Sequence, residues 1–300
     1  MLALIDTDPG IDDALALLLA WGSPDLTLAG ITTVAGNVVV TDATRNLFRL
    51  LDLCGITPPP LAQGAAAPLT RALVTATGYH GADGLSDVPG WPDTPVAPAS
   101  PTAAQLIVDV AARAVEPLTL IALGPLTNVA LALELDPTAV RRFARVVVMG
   151  GAVDVPGNVT PTAEFNIHVD PEAAERVLAA GLTLDLVPLD ATRQAVLTRT
   201  ALEEVLGRQP GPRSVRIAAL TRRGFQVDAA RGTAGMVLHD PLAVALAIDP
   251  TLATWEPVRL VIGPDGQTRR AAGETNCRFA RTVDAERFLA MFLERLCPAS

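Results

Sequence analysis

The sequence predicts an α/β protein: a single domain over residues 1–300, built on an open, mostly parallel sheet flanked by helices, with a Rossmann-like core. Three observations predict it. Short apolar runs recur at 2–5, 26–34, 118–123, 145–151 and 182–187, with the unbroken hydrophobicity of strands buried on both faces. Helix-forming stretches at 13–20, 41–53 and 102–115 lie between them. The 300 residues are 50% hydrophobic, enough for a sizeable core, and neither an internal repeat nor a linker interrupts them.

The first strand, Leu2 to Ile5, runs into Asp6-Thr7-Asp8-Pro9-Gly10-Ile11-Asp12-Asp13-Ala14. Pro9-Gly10 is turn chemistry, and the apolar run from Asp13 onward is rich in strong helix formers. Asp6 and Asp8, two apart, point to one side, while Asp12 and Asp13 fall at a helix N-terminus. Two carboxylates about 4 Å apart at an effective dielectric near 20 repel by roughly 4 kcal/mol, whereas a helix N-terminus returns only about 0.3 to 1 kcal/mol per acid. The acids therefore bind protons or surround a cation. Oxygen-only ligands favour a hard ion such as Ca²⁺ or Mg²⁺ over Zn²⁺.

The second strand, Leu26 to Val34, ends at Ala35-Gly36-Asn37, and a helix follows from Thr41 to Leu53. Residues 57–101 hold many of the prolines and read as a long irregular excursion, the form a lid or binding loop takes. His80 lies within it. A helix over 102–115 leads to the strand Leu118–Leu123 and a Gly124-Pro125 turn, and the next strand, Arg145–Gly151, opens into a polar loop. That loop carries Asn158, Glu164 and Asn166, amide donors and a carboxylate acceptor of the kind sugar hydroxyls require. After a strand at 182–187, two helices span 198–223, split at Pro210-Gly211-Pro212, and Leu238-His239-Asp240-Pro241 starts another. Late strands at 258–262 and 278–283 precede a closing helix from Ala285 to Leu296.

Composition narrows the function. The net charge is -9 and every one of the 23 basic residues is an arginine, which argues against a nucleic-acid surface and points to a substrate without a phosphate. No apolar run is long enough to span a membrane, and no basic n-region precedes the first strand, so we expect a soluble, cytoplasmic protein. Cys54, Cys277 and Cys297 are odd in number and far apart, as reduced structural thiols are.

Three segments resemble a known family: Asp6-Thr7-Asp8-Pro9-Gly10-Ile11-Asp12-Asp13-Ala14, Glu164-Phe165-Asn166 and His239-Asp240-Pro241, with Gly36-Asn37 and His80-Gly81-Ala82-Asp83-Gly84-Leu85 as lesser matches. The family is that of the inosine-uridine-type nucleoside hydrolases, which cleave the N-glycosidic bond of ribonucleosides. The resemblance runs from Asp6 to Asp240 in motifs. It implies a Ca²⁺ held by Asp8, Asp13, Asp240 and the Leu123 carbonyl, with Asp8 as general base on a water that the ion activates. Asp12, Asn37, Asn158, Glu164, Phe165 and Asn166 are then expected around the ribose, Met149 packed near the sugar, and Asp6 behind them as support. His239, with His80 as a lesser candidate, is expected to assist the departing base. The resemblance also implies a homo-oligomer, a dimer or tetramer.

Base recognition stays open, because Phe225 is the one aromatic residue in the stretch 221–231 before the His-Asp-Pro turn. Two rivals remain. A haloacid-dehalogenase-type phosphatase also places Asp-x-Asp after its first strand but needs a lysine, and this chain has none. A non-catalytic riboside-binding protein keeps the metal and the pocket without turnover.

Overall fold

A computed structural model describes residues 1–92 and 101–296. Six strands of the main sheet come from the first two-thirds of the chain: β1 (Leu2–Thr7), β2 (Thr27–Thr33), β3 (Leu61–Gln63), β4 (Leu118–Ala122), β5 (Arg145–Met149) and β6 (Leu184–Val187). With Cys277–Val283 and Ala253–Val258 they form one eight-stranded sheet, in the order β3-β2-β1-β4-β5-β6 and then those two. All neighbours are parallel except the last pair, so a single antiparallel strand closes one edge. The predicted α/β architecture is therefore the observed one.

Ala3, Leu4 and Ile5 are fully buried because β1 lies between β2 and β4 with helices on both faces. One apolar layer joins α1 (Ile11–Trp21) to the helices His239–Ile248 and Ala285–Leu296; the other joins Ala103–Arg113, Thr127–Leu135 and Pro171–Leu178. Every residue of α1 from Ile11 to Ala20 is buried, which accounts for a helix apolar all round instead of on one stripe. The amphipathic α2 (Val40–Cys54) instead covers the sheet flank with one face.

The structure corrects the boundaries at several points. The helix after the acidic turn begins at Ile11, not Asp13. The excursion over 57–101 is not wholly irregular: β3 adds an edge strand to the sheet, and Thr77–His80 forms a short helix. Its positions 93–100, with Pro95 and Pro98, lie outside the described residues, as does Cys297. The strand expected at 258–262 divides instead. Ala253–Val258 pairs with Cys277–Val283, whereas Leu260–Ile262 pairs with Thr268–Arg270 in a separate ribbon. A short apolar run carries no information about which partner strand it will meet.

Asp185, fully buried near the amino end of β6, ties the far end of the sheet together. Arg145 Nε donates to Asp185 Oδ2 at 2.5 Å, and Arg278 Nε and Nη2 donate to its two oxygens at 2.5 and 2.9 Å. Arg145 also donates to the carbonyls of Leu246 and Ala247 at 2.6 and 3.1 Å, so this node fixes the C-terminal end of the helix that begins at His239. Removing one partner of a buried ion pair strands the other charges. Asp185→Ala should lower the unfolding free energy by about 3 kcal/mol or more in urea titration.

Candidate active site

The carboxyl ends of the parallel strands are where ligands bind in open α/β sheets, and the acidic turn stands there. Asp6, Asp8 and Asp13 are fully buried and Asp12 nearly so. Asp13 is gripped on both oxygens: Oδ1 accepts from Thr7 Oγ1 at 2.5 Å and from the Asp8 N–H at 3.2 Å, Oδ2 from the Gly10 N–H at 3.0 Å and Asn37 Nδ2 at 2.9 Å. Asp8 Oδ2 accepts from the Asn37 N–H at 2.7 Å, but its Oδ1 is buried with no hydrogen-bond partner. Gly36 and Gly124 flank this carboxylate so closely that a Cβ at either would lie 2.1 or 2.6 Å from one of its oxygens. Only glycine leaves room for it there.

Asp240 enters from the first turn of His239–Ile248, and carboxylate oxygens of Asp12, Asp13 and Asp240 lie within 4.8 Å of one another. The sequence reading placed Asp8 in this set and Asp12 on the sugar; in the structure Asp12 is one of the three most tightly gathered. Burial, then the charge of Asp13, raises Asp12 to about 8; burial first, then Asp13, raises Asp8 well above the usual range. Asp240 rises likewise, through burial and then Asp12, Asp13 and Asp8. Asp6 stands apart from this group. Its Oδ1 accepts from Thr32 Oγ1 at 2.6 Å and Asn128 Nδ2 at 2.8 Å, while burial lifts it to about 7 against those bonds. A donor set of hard, mutually repelling oxygens, one of them unpartnered, fits a hard divalent cation.

A cavity opens beside the acids and brings together Asp12, Asn37, His80, Leu123, Met149, Asn158, Glu164, Phe165, Asn166, His239 and Asp240. The Leu123 carbonyl accepts from Asn166 Nδ2 at 2.6 Å, and the Met149 carbonyl accepts from it at 3.2 Å. Glu164 caps the Phe165–Val169 helix, accepting from the N–H groups of Asn166, Ile167 and Gly151 at 2.8, 3.1 and 3.0 Å, so its orientation is fixed. Asn158 Oδ1 accepts from the Phe165 N–H at 3.0 Å, which leaves its amide donor available.

Two imidazoles face the other end. His80 Nδ1 accepts from the Ile11 N–H at 2.9 Å, which assigns the proton of the neutral ring to Nε2, and burial lowers its pKa to about 4. His239 Nδ1 contacts Thr192 Oγ1 at 2.8 Å, and burial, followed by the charge of Arg193, lowers its pKa to about 3. Both rings are neutral at pH 7.

Phe225 is buried in the core under Arg199, away from the cavity. The aromatic beside the imidazoles is Tyr79, whose ring meets that of His80 edge-on at 4.9 Å and whose hydroxyl donates to Asp228 at 3.0 Å. Sequence reasoning gave no role to Tyr79, Thr192 or Arg231. Adjacency to His80 was the one signal that could have drawn attention to Tyr79.

Residues 3–290 match the family described as inosine-uridine preferring nucleoside hydrolase. The chain belongs to that family. It is accordingly a hydrolase acting on N-glycosyl compounds. It is 38% identical to the pyrimidine-specific ribonucleoside hydrolase RihA of Enterobacter sp. strain 638, over 99% of this chain and 98% of that one. Among solved structures it resembles a purine-preferring ribonucleoside hydrolase from Gardnerella vaginalis, with a TM-score of 0.93 and 31% identity, over 99% of this chain and 98% of that one. A plant nucleoside hydrolase matches with a TM-score of 0.91 and 33% identity, over 99% of each chain. Among the described residues no helix is long and apolar enough to cross a membrane.

The raised acids fix the sign of a pH effect. Asp6 and Asp12 hold protons in the folded chain up to about 7 and 8, against 3.8 for the free side chain. The native state thus binds more protons than the unfolded one between those values, and stability must fall as pH rises through them. Metal-free protein should lose thermal stability from pH 5 to pH 8. A hard divalent cation at millimolar concentration should restore more of the melting temperature at pH 8 than at pH 5, read by scanning calorimetry.

Proposed function

We propose that this protein hydrolyses the N-glycosidic bond of ribonucleosides to free nucleobase and ribose, with calcium as its cation and Asp8 as general base. The observation that carries the assignment to Asp8 is its buried Oδ1, which has no hydrogen-bond partner although three further carboxylates stand close by. Asp8, Asp13 and Asp240 would hold the cation, with the Leu123 carbonyl as a further ligand once Asn166 turns its amide to substrate; Asp12 is close enough to share. When bound, a hard divalent cation supplies Lewis acidity and offsets the repulsion among the acids.

The residues around that cluster then divide the work. Asp8 takes the proton of the attacking water at its free oxygen. Asp12, Asn37, Asn158, Glu164 and Asn166 bind the ribose hydroxyls, the buried Glu164 held rigid by its three N–H donors. Met149 and Phe165 pack on the sugar, which excludes water from the breaking bond. His239 and His80, both neutral, present ring N–H groups to the nitrogen that the sugar leaves. Bond breaking develops positive charge on the sugar and negative charge on the base, and the cavity answers with acids at one end and donors at the other.

The relatives' names split between pyrimidine and purine bases, so base preference is left unassigned. One folded domain over the whole chain, a cytoplasmic location and assembly with further copies of itself belong to the same reading, by family resemblance.

Incubation with inosine, uridine and cytidine in calcium should release free base and ribose. Ribose 5-phosphate should lose no phosphate; phosphate release would support the phosphatase rival, and saturable binding without product would support a binding protein. Asp8→Asn should reduce kcat by about 10³-fold or more while leaving substrate Kd within a few-fold, measured by single-turnover assay and calorimetry. His239→Ala should slow uridine far more than a riboside with an activated leaving group such as 4-nitrophenol. Equal losses on both would remove leaving-group assistance from His239.

A further inference from the structure

The cavity does not end at the imidazoles. A second, open hollow continues from it, sharing Asn158, Arg231 and His239 as common walls and adding Arg193. Arg231 follows the long helix Pro212–Ala230, and its guanidinium stands 5.5 Å from the centroid of the Tyr79 ring. Arg193 follows the short helix Leu189–Thr192 and donates Nη2 to the Gly157 carbonyl at 3.0 Å.

Both residues are solvent-exposed; neither guanidinium has a carboxylate within ion-pair distance among the described residues, and that of Arg231 makes no hydrogen bond there. Acids do stand near, but their oxygens serve neutral donors. Asp228 Oδ2 accepts from the Tyr79 hydroxyl and from the Val237 N–H at 2.9 Å, and Asp190 accepts from the N–H groups of Val153 and Asp154 at 2.9 and 2.8 Å. Where this chain neutralises arginines it does so directly: Arg270 and Arg281 each pair with both Asp154 and Glu256 on the surface. Partial burial also holds the Arg193 pKa down, with Asp190 partly opposing it.

The elongated site is therefore polarised. Four buried acids stand at one end and two guanidinium groups with unused donors at the other. We propose that the aglycone end is built for a base bearing a carboxylate, gripped by Arg231 and Arg193. The inference rests on the N-ribosyl hydrolase reading, which assigns the acid end to the sugar and so this end to the base. Arginine's planar fork matches a carboxylate in two hydrogen bonds, and such charge-assisted bonds are the stronger kind. A phosphate on the sugar fits less well, since it would add negative charge beside the acids that hold the ribose.

The carboxylate takes no part in the bond changes. Water adds to the anomeric carbon and gives up its proton, the C–N electron pair leaves with the base nitrogen, and that nitrogen is protonated. Base and ribose are the products, with no change of oxidation state.

5-Carboxyuridine and uridine differ only by a carboxylate on C5, the side of the base turned away from the glycosidic nitrogen, and make the test pair. The kcat/KM ratio of 5-carboxyuridine to uridine should exceed one in the native enzyme with calcium, and fall about tenfold in Arg231→Met and in Arg193→Met, the size of one charge-assisted hydrogen bond net of desolvation. A ratio below one that neither substitution moves would overturn the inference while leaving riboside hydrolysis intact. A preference for uridine 5′-monophosphate over both ribosides would also overturn it, by placing the anion on the sugar. If no riboside is cleaved, the hydrolase reading fails instead. Calorimetric titration of 5-carboxyuridine and uridine into Asp8→Asn enzyme then still decides this point: about tenfold tighter 5-carboxyuridine supports it, and equal Kd values refute it.

Discussion

The structure depends on one electrostatic constraint, the burial of four carboxyl groups at the end of the first strand, in the turn after it and at the start of the next helix. Carboxylates about 4 Å apart repel by several kcal/mol even at an effective dielectric near 20, and burial adds the cost of lost water. The chain answers part of this with donors: Asp13 receives four, and Asp6 two. It leaves the rest uncompensated, at Asp8 Oδ1 and Asp6 Oδ2 alike. A crowded, under-bonded cluster of acids in a well-packed interior persists only because the surrounding structure holds it there.

That surrounding structure is the parallel sheet and two helices. β1 lies between β2 and β4, so the backbone cannot carry its carboxyl end away from the neighbouring strand ends. α1 and the helix His239–Ile248 pack against each other with their N-termini toward the acids, adding two favourable dipole ends. Each returns at most about 1 kcal/mol, too little to balance the repulsion. The apolar surface of α1, buried all round, supplies the rigidity instead. Asp185 performs the corresponding task at the opposite end of the sheet, where it couples β5, β6 and the helix that carries Asp240.

The two ends of the cavity are built from different parts of the fold. The acid end comes from strand termini and helix starts, which the sheet holds fixed. The far end comes from the excursion that carries Tyr79 and His80, the C-terminus of Pro212–Ala230, and the segment after β6. Relatives are named for pyrimidine and for purine bases, as the proposed placing of the sugar at the acid end and the base at the far end would have it.

The sequence by itself determined the parallel α/β sheet, the acidic turn at the end of the first strand, and the segments around Asn37, Glu164 and Asp240, because apolar runs and turn chemistry are local signals. It did not determine that Asp12 gathers with Asp13 and Asp240, nor that the apolar run at 258–262 divides between two sheets. It also gave no sign of Tyr79, Thr192 and Arg231, which are ordinary residue types outside any motif. Distances between segments far apart in the chain decide each of these. Only tertiary packing sets such distances, since side-chain direction at a strand end or helix terminus follows from what the neighbouring elements leave open.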